Sequence, residues 1–223
     1  MREVVVDTET TGLDPSEGHR IVELACLELA NHLPTGRIFH HYIDPQRDIP
    51  TEAYDVHGIS AEFLAGKPPF AEIAKGFIAF IGEDRLVMHN AEFDLKFLNA
   101  ELEALGRPRI PLSRTVDTLA MARRKFPGAQ ASLDALCRRF EIDNSARTTH
   151  GALLDAELLA AVYIELCGGR QPGFELGHGG PMLSTEAAPP RSARPPRPHG
   201  PTAEEATLHE RLVKQLKDPV WER

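Results

Sequence analysis

The chain has 223 residues, 42% of them hydrophobic, and a formal net charge of −8. That length suits one domain of ~150–200 residues plus a tail, and the acidic balance argues against a protein that grips long duplex DNA with its own basic surface. Three distant cysteines without a C-x-x-C pair signal neither a disulfide framework nor a zinc knuckle, and no apolar run approaches the ~18 residues that span a membrane.

A strand is expected at once, over Val4-Val5-Val6, which leaves no room for a signal peptide and so implies a reduced cytoplasmic compartment. Three β-branched residues in a row read as a central strand covered on both faces. It runs into Asp7-Thr8-Glu9, and residues two apart on a strand face one way, so the two carboxylates point together. A loop over Leu13 to Gly18 precedes a second strand from Arg20 to Ala30. Pro34-Thr35-Gly36 reads as the turn into a third strand, Arg37 to Ile43, giving an antiparallel meander. Helical signals follow: a short capped helix at Ser60 to Leu64, then one from Pro69 to Gly82. After a buried strand, Arg85 to Met88, a helix from Ala91 to Leu105 stops at Gly106 and Pro108. Thr115-Val116 is extended, Asp117 to Lys125 helical, and Phe126-Pro127-Gly128 breaks it. Ser132 caps Leu133 to Phe140, and Gly151 to Cys167 reads as a strong amphipathic helix. The order suits an α/β fold, a mixed five-stranded sheet flanked by helices.

Beyond residue 169 the composition changes. Residues 177–201 are rich in Gly, Pro, Arg and Ser and read as a disordered linker, because they bury too little to offset the entropy of ordering. Thr202 to Lys217 carries Leu208, Leu212 and Leu216 at i, i+4, i+8, with Trp221 after it. That pattern reads as a docking segment on a flexible tether.

Two carboxylates stand where apolar residues are due. Asp94 falls on the stripe of Phe97, Leu98, Leu102 and Leu105, and Asp155 on the stripe of Leu158, Leu159, Val162 and Leu166. A bare carboxylate facing a core costs several kcal/mol unless it is paired or binds a metal. One such residue more often marks a buried salt bridge. Two, added to Asp7 and Glu9, point to a cluster of hard oxygen ligands for two divalent cations, Mg²⁺ or Mn²⁺. Two ions ~3.5–4 Å apart suit in-line displacement at phosphorus. His150, five residues before Asp155, is placed to act as general base.

Asp7-Thr8-Glu9-Thr10-Thr11-Gly12, His89-Asn90-Ala91-Glu92-Phe93-Asp94 and His150-Gly151-Ala152-Leu153-Leu154-Asp155 resemble the three motifs of the DEDDh 3′–5′ exonucleases. Val56-His57-Gly58-Ile59, Phe126-Pro127-Gly128, the run from Ser132 to Cys137 and the run from Glu141 to Ser145 further resemble the epsilon proofreading subunits of bacterial DNA polymerase III. The resemblance implies a ribonuclease H-like fold and a 3′–5′ exonuclease domain over residues 1–169. It also implies metal ligation by Asp7, Glu9, Asp94 and Asp155, with His150 as the base. The terminal nucleotide would be bound by Asp7, Glu9, Glu52, His57 and Asp155. Phe93 and Phe97 are expected in the core, and Arg123-Arg124-Lys125 reads either as a phosphate contact or as a solvated face. The expected partners are a DNA 3′ end, single-stranded or a frayed primer terminus; the polymerase III catalytic alpha subunit, through residues 202–223; and the sliding clamp, through the Q-x-x-Φ-x-Φ pattern of Gln171 to Leu176 (residues 170–176). The motifs alone do not separate DNA from RNA, so a stand-alone exonuclease on RNA or on DNA repair intermediates is the alternative.

Overall fold

The computed structural model describes residues 1–145, 147, 149–169 and 200–215. The chain divides into two units, Met1–Phe174 and Glu175–Arg223. In the first, β1 (Arg2–Thr10) lies in the middle of a five-stranded sheet with β2 (Ile21–Ala30) and β3 (Leu33–Tyr42) on one side. Three short helices follow, α1 (Thr51–His57), α2 (Ala61–Leu64) and α3 (Phe70–Ile81). Next come β4 (Arg85–Met88) on the other side of β1, α4 (Ala91–Ala104), and β5 (Thr115–Asp117) at the far edge. The unit is completed by α5 (Thr118–Lys125), α6 (Leu133–Arg139) and α7 (Ala152–Leu166). β1, β2 and β3 form the expected antiparallel meander, whereas β4 and β5 run parallel to β1.

The two faces of β1 feed two cores. Val4 and Val6 pack with Phe70, Phe77, Phe97 and Leu98 of α3 and α4, while Val5 packs with Leu136, Ala156 and Leu159 of α6 and α7. All three valines are fully buried, as two-sided coverage of a central strand requires.

The sequence expectation fails in four places, each for a local reason. The β2–β3 turn is Asn31-His32, both at positive φ (51° and 66°), not Pro34-Thr35-Gly36. Paired positive φ makes the two-residue turn whose twist matches the strands. Pro34 then sits inside β3, tolerated because β3 is an edge strand that can spare an N–H. Helix α1 had no sequence signal; its preceding residue, Pro50, makes no side-chain cap. Leu105 lies past the end of α4 and is exposed, while Glu101 takes a buried place and is bound by Arg20. Finally, α7 is buried on most of its circumference, not on one stripe: Ala152, Ala156, Ala160, Tyr163 and Ile164 are buried along with the expected leucines. It is covered on one side by β1 and β2 and on the other by α5 and α6.

In the second unit α8 (Ala203–Val213) carries a capping box between Thr202 and Glu205, and Leu208 and Leu212 are exposed. The 171–176 peptide, Leu216, Trp221 and all of the 177–201 linker but Gly200 and Pro201 lie outside the described residues.

Candidate active site

The site arises because β1 outruns β4. Pairing between them covers only Glu3 to Val5, while β2 follows β1 as far as Thr10. From Asp7 onward β1 therefore has one unpaired edge, and a notch opens there. The edge amide of Thr8 finds a different acceptor: its N–H donates to Asp94 Oδ1 at 3.1 Å, and its hydroxyl donates to the same oxygen at 2.7 Å. Asp94 stands in the first turn of α4, 4% exposed. Its helix begins beyond the end of β4, after Asn90 turns the chain at φ 68°. Asp117, capping α5 through Leu119 N–H, also accepts from Asn90 N–H and so fixes that turn.

Asp155 reaches the notch from the opposite face of the sheet, in the first turn of α7 and 3% exposed. Asp7 and Glu9 share the α7 side with Val5, and a register shift between Glu9 and Thr10 bends the strand there. Glu9, His150 and Asp155 each offer a ligand atom, all within 4.8 Å of one another. His150 Nδ1 lies 3.3 Å from Asp155 Oδ2 with its ring half exposed, and its backbone N–H donates to Val56 O at 3.1 Å. The surrounding cleft measures about 1110 Å³ and is also lined by Glu52 and His57 of α1. Glu52 is exposed; His57 is buried, its Nδ1 accepting from Ile59 N–H at 3.0 Å. All seven residues expected from the sequence therefore come together.

Electrostatics separates this cluster from ordinary surface acids. Burial, with Asp94, Glu9 and Asp155 adding repulsion, holds the Asp7 carboxyl well above the usual carboxylate range. Burial and then Asp155 and Glu23 push Glu9 up to about 8, with Arg147 opposing. Burial pushes Asp94 up to about 7 against the two bonds from Thr8. Buried carboxyls that repel one another favour a proton or a cation between them, and four carboxylates beside one histidine fit a hard divalent ion.

Several contacts at the site were not expected from the sequence. Arg147 binds Asp155 through both nitrogens of its fork, at 2.5 and 2.7 Å, and Asp134 at 2.8 Å. The salt bridge expected of a lone buried carboxylate is thus present at Asp155, beside the ligand atoms that Glu9 and His150 offer. Glu23, opposite Glu9 on β2, accepts from Ala152 N–H at the start of α7 and lies 2.7 Å from His40 Nε2. It caps the helix that carries Asp155. The other threonines of the first motif shape the loop: Thr10 Oγ1 donates to Gly12 O, and Thr11 Oγ1 meets His19 Nδ1 and accepts from Arg20 N–H. A Cβ on Gly12 would lie 2.3 Å from the His19 ring, so glycine is required there. Phe97 is core as expected, but Phe93 is only partly buried and lines the cleft. The basic run splits: Arg123 lines the cleft, and Lys125 caps the end of α7 through Glu165 O and Leu166 O.

The family model for the exonucleases (RNase_T) matches residues 4–163. The epsilon subunit of DNA polymerase III from Rickettsia prowazekii (strain Madrid E) is 58% identical over 179 residues, spanning 79% of this chain and 78% of that one. The epsilon subunit from Escherichia coli (strain K12) is 50% identical over 177 residues, spanning 76% and 72%. Among solved structures, exonuclease X in complex with 5′ overhanging duplex DNA superposes with a TM-score of 0.58 at 27% identity, over 74% of this chain and 90% of that one. The nuclease domain of 3′hExo, a DEDDh family member bound to rAMP, shares the fold, with a TM-score of 0.64 at 21% identity over 75% of this chain and 92% of that one. The chain belongs to the exonuclease family and, within it, to the epsilon proofreading subunits of bacterial DNA polymerase III, and its activity is that of a 3′–5′ exonuclease.

Proposed function

We propose that residues 1–169 remove nucleotides one at a time from the 3′ end of DNA, releasing 5′-mononucleotides, as the proofreading part of a polymerase III replicase. The observation that carries the residue assignment is the convergence of Asp7, Glu9, Asp94 and Asp155 on one notch, with three of the carboxyls pushed above their usual range. The family implies dependence on divalent metal, and two ions, Mg²⁺ or Mn²⁺, held by these four carboxylates would supply an activated water and counter-charge for the departing oxygen.

The chain's own groups do the rest. Thr8 occupies one oxygen of Asp94 and leaves Oδ2 for a ligand. His150, half exposed at the rim, takes the proton of the attacking water. Because Nδ1 of His57 accepts a bond, Nε2 carries the proton of the neutral ring; that nitrogen is buried, and the ring serves as part of the cleft wall against which the terminal nucleotide would lie. Glu52 lies along the same wall of the cleft. An unpaired terminus is preferred, since fraying it costs least.

Residues 202–223 dock on the catalytic alpha subunit, a reading supported by exposed Leu208 and Leu212 one turn apart on α8. Gln171 to Leu176 binds the sliding clamp, and residues 177–201 act as the tether. Tethering raises the local concentration at the primer end and supplies the residence that a chain of charge −8 does not draw from its own surface. The place of action is then the cytoplasmic replisome; among the described residues no helix is long and apolar enough to cross a membrane.

Cleavage of matched DNA and RNA oligomers tests the substrate reading: faster release from DNA, most of all from a mismatched terminus, is expected. Equal or faster release from RNA would favour the stand-alone reading. Deleting residues 202–223 should abolish co-purification with the alpha subunit, and retained binding would move the docking site elsewhere.

A further inference from the structure

The arginine at the metal cluster has no part in the chemistry above. The Arg147 side chain is 8% exposed and engages both oxygens of the buried Asp155. Its Nη2 also lies 2.8 Å from His150 Nδ1, and its Nη1 donates to Asp134 Oδ1 at 2.8 Å. One cation therefore ties up a ligand and the base of the site at once.

We propose that Arg147 serves as the resident counter-ion of the ion-free site and withdraws from Asp155 to Asp134 when divalent ions load. The proposal rests on the assignment of Asp155 as a metal ligand. A divalent ion on the Asp155 oxygens would stand beside the guanidinium at hydrogen-bond range, and like charges that close in a partly dry site exclude one another. Without the ions, four carboxylates crowd one notch and a fixed positive charge offsets their repulsion. Arginine suits the task because its planar fork meets both oxygens together and stays charged at every working pH.

Asp134 supplies the other end of the movement. It is 42% exposed at the cleft rim, is held by Asn144 Nδ2 at 3.1 Å, and already binds the guanidinium. Arg147 can leave Asp155 without losing this bond. The same withdrawal frees Nδ1 of His150, so the base is released only as the ions arrive.

Mn²⁺ titration of the full chain without DNA, by calorimetry or electron paramagnetic resonance, tests this on wild type, R147Q and D134N. R147Q should bind Mn²⁺ about tenfold or more tightly than wild type, because no side chain competes for Asp155. D134N should bind several-fold more weakly, because the guanidinium loses its second partner. In melting experiments R147Q should lie below wild type without ions, and saturating Mn²⁺ should narrow the gap. A purely structural arginine would weaken Mn²⁺ binding in both variants, so R147Q equal to or weaker than wild type overturns the proposal. If R147Q shows no cooperative melt, D134N decides, and unchanged or tighter binding there overturns it. Wild type that binds no Mn²⁺ overturns the metal assignment itself; wild type that binds while R147Q gains nothing overturns the proposal alone.

Discussion

The two ends of β1 each bury acid, and they treat it in opposite ways. At the N-terminal end Glu3 is fully buried; Tyr163 Oη donates to one oxygen at 2.8 Å, and His32 Nδ1 lies 2.9 Å from the other without hydrogen-bond geometry. Next to it Arg2 binds both Glu28 and Asp84. At the C-terminal end burial holds Asp7, Glu9 and Asp94 above the usual carboxylate range, and the Asp94 charge adds repulsion at Asp7 and Glu9. Glu3, whose neighbours are a tyrosine and a histidine of the fold, is part of the scaffold. A buried acid that the protein leaves wanting a cation is part of the machinery.

Four measurements put that contrast at risk. The largest effect belongs to the double variant Asp7→Ala/Glu9→Ala, which should lose about 10³-fold or more in cleavage rate while melting no lower than wild type without ions, since repulsion is removed. Metal-dependent cleavage that persisted would defeat the assignment of both residues. Second is pH. Unfolded carboxyls titrate near 4, whereas Asp94 and Glu9 titrate at about 7 and about 8 in the fold. Between those values the native state binds more protons than the unfolded one, so ion-free stability should fall as pH rises from about 4 to about 8. Saturating divalent ion should oppose that slope, and Mn²⁺ affinity should climb from pH 6 to 8 as competing protons leave. A flat ion-free profile would remove the argument from repulsion.

Third, Glu3→Ala strands the buried Tyr163 hydroxyl and should cost about 2 kcal/mol in urea unfolding, with the cleavage rate per folded molecule unchanged. A loss of rate without loss of stability would mean that the two ends are not separate. The smallest effect is expected for Lys125→Ala, which uncaps α7 far from the carboxylates; about 0.5–1 kcal/mol of stability should go, and no activity.

The fold was legible wherever hydrophobic pattern or punctuation stood alone. The valine run marked the central strand, and Ser60 and Ser132 marked helix starts, each accepting from a backbone N–H three residues on. The sequence reading failed where tertiary contacts set the outcome. Proline-glycine punctuation at Pro34 and Gly36 outweighed Asn31-His32, although the tighter turn suits the sheet twist. Helix α7 was read by its leucine stripe, yet small Ala152, Ala156 and Ala160 let helices and sheet close around it. At the site, Asp94 and Asp155 stood out because a carboxylate breaks an apolar stripe. Glu23 stands among apolar residues of β2, but so does Glu28, and only the contacts of Glu23 with Ala152 and His40 set it apart. Arg147 lies on a loop, where no periodicity exists to be broken.

The four carboxylates come from both sides of the sheet: Asp94 is delivered by α4 over one face, and Asp155 by α7 over the other. Neither layer alone brings the full set to the end of β1. The set is therefore complete only where both layers close on the sheet, so a packing defect on either face reaches the same notch.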